Sequence, residues 1–210
     1  FFSMRTYFIK TGKLISKLIY PSLVWEIPTA EKELYITFDD GPTPGITEQT
    51  LDLLEDYQAK ATFFLIGDKA ARYPELVDEI KARGHEIGNH TYHHLKGWNT
   101  EDEVYFKDIQ RTGSLLETKL FRPPYGKISR SQISELSEDY HIIMWTVLSA
   151  DFDNSITPEK CAQNVIDNAE KGSIIIFHDS EKASERMLYA LPETLKHFSE
   201  QGFQFNSIQF

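Results

Sequence analysis

The chain has a single cysteine, Cys161, so no disulfide forms within it and its redox compartment stays open. Cys161 falls in a segment that reads as helix, where an ordinary buried thiol is expected. No apolar run approaches the roughly 20 residues that a spanning helix needs. Nothing in the sequence reads as a secretory signal, so a cytoplasmic and a cell-envelope location both stay open. Basic residues are in deficit: 22 Lys and Arg face 32 Asp and Glu, a formal charge of −10. That balance removes the electrostatic footprint of a nucleic-acid binder. Low-complexity linkers and internal repeats are also missing, and 210 residues suit one substantial core.

Residues 1–28 depart from the acidic background, with Arg5, Lys10, Lys13 and Lys17 ahead of the first acid, Glu26. Leu14, Ile15, Leu18 and Ile19 share one helical face, so Thr11–Tyr20 reads as a short basic helix. Such a helix has two uses, peripheral contact with an anionic membrane or packing on the domain. Gly12 and the short stripe favour packing. The chain therefore divides into a basic, helical N-terminal segment, 1–28, and one domain, 29–210.

Beyond Pro28, short β-branched or aromatic runs alternate with helical patterns. Seven strands are expected: Leu34–Phe38, Ala61–Ile66, His85–Gly88, Lys119–Phe121, His141–Leu148, Ser173–Phe177 and Phe203–Ile208. Pro74 opens a helix that Gly84 closes, Thr100 and Glu103 form a capping box for another, and Thr157–Pro158 starts a third that Gly172 ends. Strict alternation implies parallel strands joined by helical crossovers. The expected fold is α/β, a small or incomplete (β/α) barrel of seven strands, with an open doubly wound sheet as the alternative.

Polar groups collect at the strand ends. Asp39 and Asp40 follow the first strand, His90 and His94 the third, Arg122 the fourth, Asp151 the fifth and His178 the sixth. In a β/α barrel these ends share the face where catalytic groups gather. One such residue is ordinary loop polarity, but seven at corresponding positions are a site. His90 and His94 have the i, i+4 spacing that brings two imidazoles to one ion if the loop turns helically. His93 is left as a surface or supporting residue. A carboxylate from the Asp39–Asp40 pair completes a metal site, and a cation beside one carboxylate leaves the other free as a base. Two His and one Asp suit zinc first, and iron, cobalt, nickel or manganese can take the same positions. Ser149 and Ser180 lack the paired His and Asp that would make either a nucleophile.

Thr37-Phe38-Asp39-Asp40-Gly41-Pro42 resembles the first motif of the polysaccharide deacetylases (NodB-like, carbohydrate esterase family 4), and His90-Thr91-Tyr92-His93-His94 resembles the second. Arg122-Pro123-Pro124-Tyr125-Gly126 is similar to the third, and the Ile174–His178 strand to the last. The resemblance runs from about Glu33 to His178 and continues weakly beyond. It implies a distorted seven-stranded barrel and hydrolysis of N-acetyl groups on amino sugars of a polysaccharide, oligosaccharide or glycan precursor. It also implies Asp39 as base, Asp40, His90 and His94 as metal ligands, Arg122 as the residue that orients the base, and the Tyr125 N–H as an oxyanion donor. His178 is implied as acid, with Asp151 tuning it or joining the Arg122 network, and Ile174 and Ile176 as walls for the acetyl methyl. The fourth motif departs from the family's D-x-x-D-W: Leu148 replaces its first acid and Phe152 its Trp. Phe152 can still supply an apolar wall, and Trp98 is a candidate sugar-stacking residue at the rim. The alternatives are a carbohydrate-binding protein of the same fold, or a deacylase of a lipid-linked or nucleotide sugar. Selectivity is expected from residues 95–118 and the Phe152–Thr157 loop.

Overall fold

A computed structural model of the protein describes residues 7–11 and 20–210. Residues 12–19 of the helix expected over Thr11–Tyr20, its four apolar residues among them, thus lie outside the described residues. Eight strands are described, all paired in parallel: β1 (Glu33–Asp39), β2 (Ala61–Leu65), β3 (Glu86–Asn89), β4 (Leu120–Phe121), β5 (His141–Ile142), β6 (Val147–Leu148), β7 (Ile174–His178) and β8 (Gln204–Phe205). Seven form one curled path, β5-β4-β3-β2-β1-β7-β6, while β8 pairs with the start of β1. The helices between them are α1 (Ile46–Asp56), α2 (Gly67–Arg72), α3 (Pro74–Ala82), α4 (Asp102–Leu116), α5 (Arg130–Leu136), α6 (Pro158–Ile166) and α7 (Ser184–Glu200). No helix among the described residues is long and apolar enough to cross a membrane.

The count of seven holds, but its members differ. The single strand expected over His141–Leu148 is two, β5 and β6, at opposite ends of the path. Residues 143–146 cross the gap between them: Ile143 N–H still bonds to Phe121 on one side (2.8 Å), and Thr146 N–H already bonds to Ile174 on the other (3.0 Å). A continuous β-branched run cannot reveal that its two ends serve different partners. The last expected strand shrinks to Gln204–Phe205 and leaves the main path.

Described residues of the 1–28 segment are bonded along both sides of this gap and at the start of β7. Val24 exchanges bonds with Ile142 (2.9 Å) and Met144 (2.7 Å), Leu148 N–H bonds to Ile9 (2.9 Å), and Ile27 N–H bonds to Gly172 (3.0 Å). Leu23 and Trp25 are buried with Tyr105, Phe121 and Ile142.

Two of the expected helix signals hold locally. Pro74 opens α3, with Gly84 just beyond its end at positive φ. Thr157 caps α6 by accepting from the Lys160 N–H. The capping box at Thr100 does not form. Glu101 is the N-cap of α4, Thr100 Oγ1 donates to the Lys96 carbonyl, and Glu103 pairs with Lys107. Gly172 does not end α6, which stops at Ile166; the glycine lies six residues on, packed where a Cβ would meet the Ile27 carbonyl. Cys161 is buried on α6, and burial, with Asp151 nearby, pushes its thiol up to about 12, so it stays protonated.

Strand register positions the site. Asp39 is opposite Phe64 of β2 and His178 of β7, while Asn89 is opposite both Leu65 and Phe121. The strands therefore end level, and the residues after them share one rim. Phe38, Phe63 and Phe177 face the helices, with Phe38 stacked on Phe63 at 4.8 Å. The opposite face carries Tyr35 and Ile174 at the bottom and Asp39 and His178 at the top, as a two-residue period requires.

Candidate active site

The His90–His94 segment turns, but not as a helix. Thr91 and His94 adopt positive φ (62° and 57°), conformations that need outside support. Asp108 on α4 supplies it: one oxygen accepts from the Tyr92 and His93 N–H groups (2.7 and 3.0 Å), and the other pairs with the His93 imidazole. His93 therefore braces the turn through Asp108. Asn89 Oδ1 accepts from Thr91 N–H at 2.8 Å, and Thr91 Oγ1 accepts from Leu95 N–H at 3.0 Å.

His90 Nδ1 lies 2.8 Å from the Arg122 carbonyl. A carbonyl only accepts, so Nδ1 carries the proton and Nε2 keeps a lone pair. Burial, partly offset by Asp39 and Asp40, pushes the His90 pKa down to about 4, so the ring is neutral at neutral pH. Asp40 also has positive φ (75°), which swings its carboxylate towards the histidines: Oδ1 lies 3.1 Å from His94 Nε2 and 3.7 Å from His90 Nε2. Burial opposes ionisation of Asp40, but hydrogen bonding to His94 and the neighbouring histidine charges outweigh it, holding the carboxyl well below the usual range. The donor atoms of Asp40, His90 and His94 lie within 4.8 Å of one another. Two imidazole nitrogens and one carboxylate with an open side facing a cleft fit a divalent cation.

Asp39 points elsewhere. Arg122, wholly buried, donates from Nη1 to Asp39 Oδ1 and Thr37 Oγ1, both at 2.7 Å. Its other donors reach the Ile143 and Met144 carbonyls (3.2 and 3.1 Å), and its guanidinium lies over the Phe64 ring. Burial lowers the Arg122 pKa against the opposing pull of Asp39, and a guanidinium remains charged. One Asp39 oxygen is thus fixed, and the other, Oδ2, lies 4.0 Å from His90 Nε2.

His178 ends β7 next to buried Asp151, whose carboxylate accepts from the His178 backbone N–H and pairs with Nδ1, both at 2.7 Å. Burial disfavours the imidazolium, but Asp151 outweighs it and raises the His178 pKa to about 9. Of the two partners expected for Asp151, it takes His178, and Arg186 rather than Arg122 binds its backbone carbonyl (2.6 Å). The Phe152 ring sits edge-on to His178, with centroids 5.3 Å apart.

These groups line a cleft of about 1040 Å³ whose apolar wall includes Ile176, Leu148, Phe152 and Trp145. Ile174 is not in the wall; it is buried one layer down with Phe64 and Leu120. Trp98 is also outside the lining: it is 58% exposed and donates from Nε1 to the Ile128 carbonyl. The Tyr125 ring packs on His94 (4.7 Å). Gly126 and Lys127 N–H groups bond back to Pro123 and Pro124, whereas the Tyr125 N–H has no main-chain acceptor among the described residues.

Sequence reasoning missed Trp145, Tyr7, Thr37 and Asp179. Trp145 was hidden inside an expected strand, and Tyr7 arrives from the N-terminal segment, with its hydroxyl on Asp153. Asp179, wholly buried, accepts from Thr47 Oγ1 (2.6 Å) and lies where a Cβ on Gly41 would collide with its carboxylate, so only glycine fits after Asp40. Burial raises the Asp179 pKa to about 7 despite the Thr47 hydrogen bond. Its place directly after His178 was the only available signal.

A family model described as polysaccharide deacetylase matches residues 26–140, more than half of the chain. The chain is 37% identical over 205 residues to a peptidoglycan-N-acetylglucosamine deacetylase of Bacillus cereus, covering 93% of this chain and 96% of that protein. It is 32% identical to a peptidoglycan-N-acetylmuramic acid deacetylase of Bacillus subtilis, covering 83% of this chain but 37% of that longer protein. In structure it is similar to a crystallised peptidoglycan N-acetylglucosamine deacetylase, with a TM-score of 0.86 at 30% identity, covering 92% of this chain and 94% of the other.

Proposed function

The chain belongs to the polysaccharide deacetylase family, and from that premise we propose that it hydrolyses N-acetyl groups on the amino sugars of a glycan, peptidoglycan being the substrate for which the two relatives above are named. The observation that carries this reading is the pairing of Asp39 with His178 across β1 and β7, beside the Asp40, His90 and His94 donors. A base and an acid thus stand next to one metal position.

Asp40, His90 and His94 would hold a divalent ion, zinc first by donor type. Such an ion supplies a Lewis acid for the acetyl carbonyl and for water. Asp39, held by Arg122, takes the proton of the attacking water as its oxygen bonds to the acetyl carbon. The Tyr125 N–H donates to the oxyanion, a contribution often worth about 3 kcal/mol. His178, protonated at neutral pH, gives its proton to the nitrogen as the C–N bond breaks, leaving acetate and a free amine. Ile176, Leu148 and Phe152 exclude water around the acetyl group. The complete set of base, acid and donors argues against a protein that only binds carbohydrate.

Protein stripped with chelator and resupplied with zinc, cobalt, nickel, manganese or ferrous iron is expected to release acetate from N-acetylglucosamine oligomers. Asp39→Asn and His90→Ala should each lower that release by at least about a hundredfold. No release with any ion bound would overturn the reading.

A further inference from the structure

Around the cleft the charge has the sign the chain otherwise has least of. Lys69, Arg72, Lys96, Lys127 and Lys182 line it, against Asp39, Asp40 and a single further acid, Glu181. Arg72 is paired with Asp68, and Lys69 donates to the Asp40 carbonyl (2.8 Å) and to Thr43 Oγ1 (3.1 Å). The other three lysines make no ion pair among the described residues. Each instead lies over an aromatic ring: Lys96 Nζ is 4.9 Å from the Tyr125 centroid, Lys127 Nζ 4.3 Å from Trp98 and Lys182 Nζ 5.8 Å from Phe152. A ring face steadies an ammonium without neutralising it, whereas a carboxylate would do both. Tyr125 packs on His94 and Phe152 on His178, so Lys96 lies beside one candidate site histidine and Lys182 beside the other. Trp98, out of reach of the cleft itself, acts as the rest for Lys127.

We propose that this rim binds the anionic groups of the glycan, carboxylate or phosphate, carried on or next to the N-acetylated sugar. This deepens the deacetylase reading and rests on it for the position of the reacting sugar. In a chain of charge −10, unneutralised ammonium groups around one opening draw in anionic ligands and repel cationic ones. A neutral chitin-like oligomer gains nothing from them.

The test uses the zinc-loaded protein and three N-acetylated substrates: a neutral N-acetylglucosamine oligomer, an oligosaccharide alternating N-acetylglucosamine with N-acetylmuramic acid, and UDP-N-acetylglucosamine. The kcat/KM ratio of an anionic to the neutral substrate should exceed one at about 20 mM salt and fall towards one at about 500 mM. The double variant Lys96→Gln/Lys127→Gln should lower that ratio about tenfold, and Lys96→Arg/Lys127→Arg should keep it. Preference for the muramic acid substrate assigns a carboxylate, and preference for the sugar nucleotide assigns a phosphate. A ratio unmoved by salt and by the Gln pair overturns the proposal. Calorimetric binding of the muramic acid oligosaccharide to zinc-loaded Asp39→Asn, with and without the Gln pair, reads the rim independently of turnover. A tenfold loss there without acetate release from any substrate would leave the rim standing and sink the deacetylase reading; equal binding would sink the rim alone.

Discussion

Asp39 and Asp40 are adjacent in sequence but face different partners, because β1 ends between them. Asp39 keeps its strand orientation and meets Arg122, while Asp40 turns to positive φ and meets the histidines. Their partners are thus separate, a guanidinium for Asp39 and two imidazoles for Asp40. His178 depends most on one neighbour, Asp151, with Asp40 and Asp39 adding to its pull. Asp151 holds its proton to about 9, so the donating form prevails at neutral pH and is lost as pH climbs through that value. The same shift stabilises the fold below the unfolded histidine value of 6.5, and that stability fades as pH rises through about 9. Asp151→Asn removes the largest raising influence and leaves burial opposed only by the charges of Asp40 and Asp39, so the alkaline limb of kcat/KM should move to lower pH. A pH-rate profile from about pH 5 to 10 checks it, and an unmoved limb would assign the limb to another group.

At the level of elements, the turn carrying the candidate ligands His90 and His94 depends on a helix that supplies none of the three candidate donors. Asp108 on α4 carries three contacts to the Tyr92–His93 stretch, and the turn has two residues at positive φ that would relax without it. Asp108→Ala is expected to weaken zinc binding by about ten- to a hundredfold, as is usual when groups supporting the ligands are lost. Zinc titration calorimetry reads this, with circular dichroism showing the helices intact; unchanged affinity would mean that the turn holds itself. β7 shows the limit of reading one element alone. Alternation correctly places Ile174, Ile176 and His178 on one face, but it does not give depth, and Ile174 lies a layer below the cleft.

Across the whole molecule, the open side between β5 and β6 is spanned by residues 143–146 and bonded to described residues of the 1–28 segment. Leu23 is buried among Tyr105, Phe121 and Ile142. Leu23→Ala should therefore behave as a core truncation, costing roughly 2–5 kcal/mol and lowering Tm by about 4 to 20 °C for a chain of this size. Thermal unfolding measures it, and an unchanged Tm would make the segment a passive attachment. The same segment delivers Tyr7 to the cleft, so the composition break at its end does not separate it from the site.

The sequence alone determined the family, the candidate residues and the side of the sheet that carries them. Each motif is contiguous, and the polar residues after successive strands share a face whenever the strands are parallel. The candidate ligand types, their spacing and the acid next to one of them are properties of short stretches. Tertiary structure decided what depends on distant partners: the split of His141–Leu148, the choice of Asp151 for His178, and Trp145 rather than Trp98 in the wall. Arg122 meets Asp39 across 83 positions of chain, and no local pattern encodes such a meeting. Sheet register and curvature do, and both are set by packing across the whole core.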